Sequence, residues 1–257
     1  MTPPRIVLAG IVAGLMCLPA AAQTYVSGSL GYLMQSDSDN SGSTGAFTTG
    51  NLGDGTTLDV AAGTPYGWTT EFDTSWSVSG EIGVAKDNGL RYGAEIAYSK
   101  SDVDTHKNVT LGGGSIDGVD AAAIAGSPTA LGVTVADVVA DGRGDTSSTS
   151  LFFNAYYDFN KDGMLQPYVG GGIGVSDVNV TYRPSGIGVI DDGETKLAYQ
   201  LKAGLNWKVS DRWDVFSEYV YRATDDIETK NDLFPGTLNV ENKQNILAVG
   251  VRYRFGA

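Results

Sequence analysis

The chain offers one histidine and one cysteine to imidazole or thiol chemistry. His106 stands near Asp102, Asp104 and Lys107, which supplies a base and carboxylates, but no serine lies at a spacing that marks a nucleophile. It reads as a surface-loop histidine, and no catalytic residue is expected. A single Cys and a single His exclude a disulfide framework, a Cys-based zinc site and a His cluster. Asp158–Gly163 opens like a calcium loop, yet its twelfth position is Val169 rather than Glu. The glycines of 170–174 lack the Lys and the helix of a phosphate loop. Asn108 and Asn179 begin Asn-x-Thr triplets of a kind common by chance. No cofactor and no metal site are expected.

More informative are charged residues that recur on the polar phase of a two-residue alternation. They are Glu81, Arg91, Glu95, Lys202, Glu218, Arg222, Arg252 and Arg254. Unpaired buried charge is costly, so such a set belongs either in water or in a network of ion pairs and hydrogen bonds.

The elements that carry these residues are strands. Eight segments alternate with period two: Thr24–Met34, Thr74–Ala85, Leu90–Lys100, Ser148–Phe159, Leu165–Tyr182, Lys196–Val209, Trp213–Arg222 and Lys243–Phe255. Phe152 and Tyr156 break the phase of the fourth, and the fifth shifts phase near Asp177 as a bulge would make it do. Short turns at 86–89, 160–164 and 210–212 join three pairs, two of them with Asn-Gly or Asp-Gly. The other connections, 35–73, 101–147, 183–195 and 223–242, are long and polar. Symmetric turns would pair Val84 with Leu90 and Val209 with Trp213. Glu81 would then face Gly93, Arg91 would face Gly83, and Glu218 would face Gly204.

Segregated loop lengths are the layout of an all-β, eight-stranded antiparallel up-and-down transmembrane β-barrel, with short periplasmic turns and long extracellular loops. Aromatics sit at both ends of the apolar face. Tyr157, Phe159, Trp207, Trp213, Tyr253 and Phe255 lie near the short turns; Tyr32, Trp76, Tyr98, Tyr199 and Tyr221 lie near the long loops. Rings with a polar tip favour the headgroup boundary, so the apolar face should meet lipid. A soluble barrel would turn that face inward and leave seven charged positions of the opposite face in water between wide apolar stripes. Eight strands enclose a lumen that side chains just fill. The charged set is therefore expected to plug it, with a narrow porin-like channel as the alternative and a lipid-modifying enzyme at the rim as the second.

Composition agrees. The chain of 257 residues has a formal charge of −13 and only 18% charged residues. The acidic balance argues against nucleic acid. A mean hydropathy of −0.09 is too polar for a helical membrane bundle. Residues 1–22 read as a signal peptide, with Arg5, an apolar run and small residues before the cleavage point, leaving 23–257 as the barrel. The four long connections hold 21 of the 30 acidic residues and 4 of the 17 basic ones. That outward acidity suits mobile, soluble loops, with divalent cations or host surface ligands as possible partners. Ala121–Val139 is weakly apolar and either folds over the mouth or lies on the headgroups.

Four phrases carry a resemblance: 154–159 (NAYYDF), 167–175 (PYVGGGIGV), 198–204 (AYQLKAG) and 249–255 (VGVRYRF). The chain resembles the small OmpA/OmpX-type outer-membrane barrels, especially the opacity-like surface antigens of alphaproteobacteria. The resemblance implies export to the outer membrane of a Gram-negative cell and a role in membrane integrity, adhesion or antigenic display. It implies contact with outer-membrane lipid and lipopolysaccharide, and handling by the barrel-assembly machinery through a C-terminal signal, here Tyr253 and Phe255. Gly256 and Ala257 follow that Phe, a departure from the usual ending.

Overall fold

The computed structural model describes residues 22–73 and 75–256. The expected signal peptide therefore lies outside the described residues, except for Ala22, as do Thr74 and Ala257.

The chain climbs in β1 (Ala22–Gln35) and continues above it through β2 (Ser38–Thr44), the short β3 (Phe47–Thr48) and β4 (Asp59–Val60), and β5 (Pro65–Phe72). It descends in β6 (Ser75–Lys86), turns, and rises in β7 (Leu90–Leu111) to β8 (Gly114–Ser115). Two short helices, α1 (Ala122–Ala125) and α2 (Val135–Val139), precede β9 (Gly144–Asp158). Then come β10 (Leu165–Tyr182), β11 (Ile190–Lys208), β12 (Trp213–Thr224), β13 (Ile227–Lys230), β14 (Gly236–Val240) and β15 (Lys243–Arg254).

Eight of these strands close on themselves: β1–β6–β7–β9–β10–β11–β12–β15 and back to β1, every pairing antiparallel. Closure leaves no strand edge in the ring, the condition for backbone that must satisfy its hydrogen bonds without water. From Leu165 to Val175 the outward positions of β10 are apolar or glycine, and Ile173 is 74% exposed. That run matches the ~9–11 residues a tilted strand needs to cross a bilayer. Both expected aromatic belts point outward, with Trp207, Trp213 and Phe255 at one end and Tyr32, Trp76 and Tyr199 at the other. The protein is a closed β-barrel of eight strands with an apolar outer band.

The pattern that looked like a bulge at Asp177 has another cause. Asp177 pairs with Thr195 on one side and Thr149 on the other in unbroken register. Side chains alternate without a slip: Val169, Ile173 and Val175 point out, whereas Val178, Val180 and Tyr182 point in and are fully buried. The strand leaves the lipid and enters water, so apolar residues change sides. The long connections are likewise not mobile loops. They extend the wall: β5 pairs with the upper half of β7, β2 with β5, β14 with β2 and β13 with β14. Inside this extension Val103, Val178, Val180, Ile190, Ile227, Leu238 and Val240 form an apolar core. Of the two placements expected for Ala121–Val139, the structure shows the first. It folds over the mouth, with Ala122 and Val135 fully buried and Val139 packed against Val109.

One turn is tighter than symmetry suggested. β6 and β7 are joined by three residues, with Gly89 at φ +86° donating its N–H to Lys86 O at 3.1 Å. Val84 therefore pairs with Tyr92, not Leu90, and Glu81 faces Glu95 while Gly83 faces Gly93. The expected pairing of Glu218 with Gly204 is observed.

Candidate functional site

Inward positions of the eight strands gather the charged set in the lumen. Glu95 on β7 is the hub. Its Oε2 accepts from Lys202 Nζ at 2.5 Å and Asn154 Nδ2 at 3.0 Å, and its Oε1 accepts from Arg222 Nη2 at 3.2 Å. Lys202 also reaches Glu218 Oε1 at 3.3 Å, a diagonal contact between β11 and β12. Glu218 accepts from the Tyr168 hydroxyl at 2.9 Å, and Arg222 donates to Gln200 Oε1 at 3.0 and 3.2 Å. Glu81 accepts from the hydroxyls of Tyr25 at 2.6 Å and Tyr156 at 2.5 Å, and from Asn154 Nδ2 at 2.8 Å.

Below this lies a second group. Arg91 donates to both oxygens of Asp158 at 3.1 Å, sits 3.8 Å from Glu81 and lies 4.0 Å from the Tyr156 ring centre. Arg254 and Arg252 approach Asp214 at 2.6 and 3.8 Å, and Arg252 is held between the Tyr25 and Phe216 rings. Asp214 makes no well-directed hydrogen bond, so its charge is met by proximity alone. All eight expected residues point inward, Arg254 least covered of them.

Sequence reasoning missed two acids and the aromatic walls. Asp158 lies at the end of the fourth expected strand and Asp214 at the start of the seventh, and neither was included in the charged set. Phe152 and Tyr156, the phase-breakers, point in and cover Arg222 and Arg91. Glycines make the room. A Cβ at Gly83, Gly93, Gly170, Gly204 or Gly250 would overlap Tyr25, Glu81, Tyr156, Tyr168 or Phe216 in turn. The signal was available: each of these glycines falls on the inward phase of its strand.

The void beside Glu81, Glu95 and Lys202 measures about 10 Å³, room for about one water. A vestibule of about 190 Å³ opens below it, lined by Lys86, Asp87, Lys161 and Asp162 of the short turns. Above it, Gln244 Nε2 meets Ser99 Oγ at 3.0 Å, Ser150 meets Ser176 at 2.8 Å, and Gln35 donates to Asn242 at 3.0 Å. The apolar core of the extension closes the top.

His106 is not on a surface loop. It lies in the upper half of β7, 4% exposed, its ring edge-on to Tyr182 and to Trp68. Its Nδ1 is 2.8 Å from Thr70 Oγ1, and burial pushes its pKa down to about 4. Asp102 and Asp104 point outward into solvent, so the base–carboxylate pair of the sequence is not assembled. Among the described residues no group of three or more His, Cys, Asp or Glu side chains is gathered as a metal site.

A family model described as "Surface antigen" matches residues 45–249. No curated protein matches the chain. Among solved structures, Neisserial surface protein A aligns over 91% of this chain and 99% of its own, with 15% identity and a TM-score of 0.44. OprG from Pseudomonas aeruginosa aligns over 92% and 97%, with 13% identity and a TM-score of 0.48. The outer membrane protein AlkL, solved in lipid bilayers, aligns over 93% and 94%, with 15% identity and a TM-score of 0.44.

Proposed function

The chain belongs to the surface antigen family, and we propose that it serves as a closed, non-conducting outer-membrane barrel whose work is done by the cap it displays. In this reading the lumen is a polar core rather than a pore, and the role is structural or surface-interactive: membrane integrity, adhesion or antigenic display. The observation that carries it is the one-water void amid the Glu95 network. An ion would have to break several charge-assisted bonds in a low-dielectric interior to pass, which is costly without replacement partners.

The reading extends to partners. Export by residues 1–22, recognition of Tyr253 and Phe255 by the barrel-assembly machinery, and contact of the outward belts with lipid and lipopolysaccharide complete it. Tyr253 stacks edge-on with Phe255 at 5.0 Å and Trp213 at 4.9 Å, an outward aromatic cluster next to the chain end. The acidic outer face of the cap is the surface left for divalent cations or a host ligand.

Planar-bilayer recording of the folded protein tests the closed lumen. The expected trace shows no steady conductance above that of the bare membrane. A steady, charge-selective conductance overturns the plug and makes the barrel a narrow porin.

A further inference from the structure

The cap encloses a second cavity, of about 220 Å³, far from the charged network. Phe47, Trp68, Leu111, Ile124, Val139 and Phe234 line most of it, and no Lys, Arg, Asp or Glu side chain does. A purely apolar hole of this kind would be ordinary packing slack. This one also exposes polar atoms that have lost water and gained no partner.

His106 Nε2 is buried and without a hydrogen-bond partner, and so is Asn231 Nδ2. Both residues line the cavity. Their donor character follows from their other contacts. Thr70 Oγ1 accepts from Asn40 Nδ2 at 2.8 Å and from Trp68 Nε1 at 3.2 Å, which fills its lone pairs. Its one proton therefore goes to His106 Nδ1, and the imidazole keeps its own proton on Nε2. Asn231 Oδ1 accepts from the backbone N–H of Leu233 at 2.8 Å and of Phe234 at 3.4 Å, which turns the amide nitrogen the other way. The Tyr66 and Tyr182 hydroxyls, also on the wall, are buried without a hydrogen-bond partner as well, and Tyr66 stands beside the Asn231 amide. The His106 Nε2–H donor thus faces an apolar chamber with no acceptor placed for it. Buried donors left unmet cost free energy that a ligand acceptor would recover.

We propose that the cap cavity is a binding site for a small, neutral, mostly apolar molecule carrying an acceptor oxygen, such as a medium-chain ketone, ester or alcohol. A cavity of 150 Å³ takes benzene, so this one has room for about nine non-hydrogen atoms. A carboxylate is excluded by chemistry: no cationic side chain lines the wall, and the surrounding cap is acidic. A plain alkane fills the space but leaves the His106 donor unmet. Leu58 and Ala125, exposed at the lining, mark where the chamber meets solvent. The site does not rest on the charged network, none of whose residues lines the chamber.

The chain's single histidine makes the test direct. Protein without a histidine tag, labelled with 15N-histidine and folded into lipid nanodiscs, gives one imidazole signal set. Titration with 2-octanone is expected to shift the Nε2 resonance saturably. Nonane and octanoate at pH 8 should each need about tenfold higher concentration or more. Ala123→Phe, which fills the chamber, and Ala125→Trp, which blocks its exposed rim without burying anything new, should both abolish the saturable shift; heat-modifiable gel mobility confirms that each barrel is folded. Absence of a saturable shift in the unaltered protein overturns the proposal. So does a shift that survives in a folded variant, which would mean partition into lipid, or equal response to octanoate.

Discussion

Replacing Glu95 with Gln removes one charge from the centre of the lumen and little volume. In the native arrangement Glu95 meets Lys202 at 2.5 Å and Arg222 at 3.2 Å, and its side chain is 1% exposed. After the change Lys202 keeps one acid, Glu218 at 3.3 Å, whereas Arg222 keeps only neutral Gln200 and the Phe152 ring. One positive charge is then buried without a counter-charge. Breaking a buried pair in this way costs about 3–5 kcal/mol. The amide oxygen still accepts from Lys202 and Asn154, so the lower end, about 3 kcal/mol, is expected. Urea titration in lipid vesicles, read by the gel mobility of the folded form, measures it. Adding Arg222→Met restores neutrality and should recover about 1–2 kcal/mol of the loss, a coupling within the usual range for residues in contact. A cost below about 1 kcal/mol for Glu95→Gln, as for an exposed pair, would refute the reasoning, because the network would have to be solvated.

Ile173→Arg tests sidedness: at 74% exposure it would be nearly neutral in water but should cost about 2–4 kcal/mol in a bilayer midplane, read by the same titration. Gly204→Val should cost about 1–3 kcal/mol, because any Cβ there overlaps the Tyr168 ring; normal stability would mean Tyr168 lies elsewhere. His106 gives the cap a pH dependence. It is held near 4 against 6.5 when unfolded, facing Thr70, Trp68 and Tyr182, with Asp141 the charge that opposes the shift. The folded value is depressed for a base, so the cap's stability is full above pH 6.5 and falls as pH drops toward 4. The loss is about 3 kcal/mol. Protease cleavage within 101–147 should rise over that window and stay flat in a folded His106→Phe variant.

The barrel was legible because lipid enforces a simple rule on each strand, apolar out and polar in, over about ten residues. β10 was bounded correctly even though its phase shift was misread. The same rule hid the extension. Where β7 passes Lys100 and β9 begins at Gly144, the outward face turns polar, and polarity at a strand end looks like a loop. A soluble-type wall stacked on a membrane-type wall inverts the pattern without interrupting the strand. Val103 and Val178 carry that inversion, but only the pairing partners, distant in sequence, reveal it. The lumen's charges were legible from period and sign. The two-residue shift at Gly89 was not, because register there depends on one φ angle in a turn.

Charge accounts for how one wall performs two tasks. Inside the lumen, Glu81, Glu95, Asp158, Asp214 and Glu218 oppose Arg91, Lys202, Arg222, Arg252 and Arg254, acid for base. The interior is electroneutral, so the formal −13 lies wholly outside it. The lipid-facing band has no place for charge, since a charged side chain there is costly. What remains is the cap and the periplasmic turns. Neutral pairing within lets these charged side chains share a tightly packed interior. Acidic repulsion without keeps the cap from adding strands at its edge, which β13, the last strand of that sheet, would otherwise invite. The cap can therefore hold an apolar core and an apolar chamber in water while its outer face stays soluble.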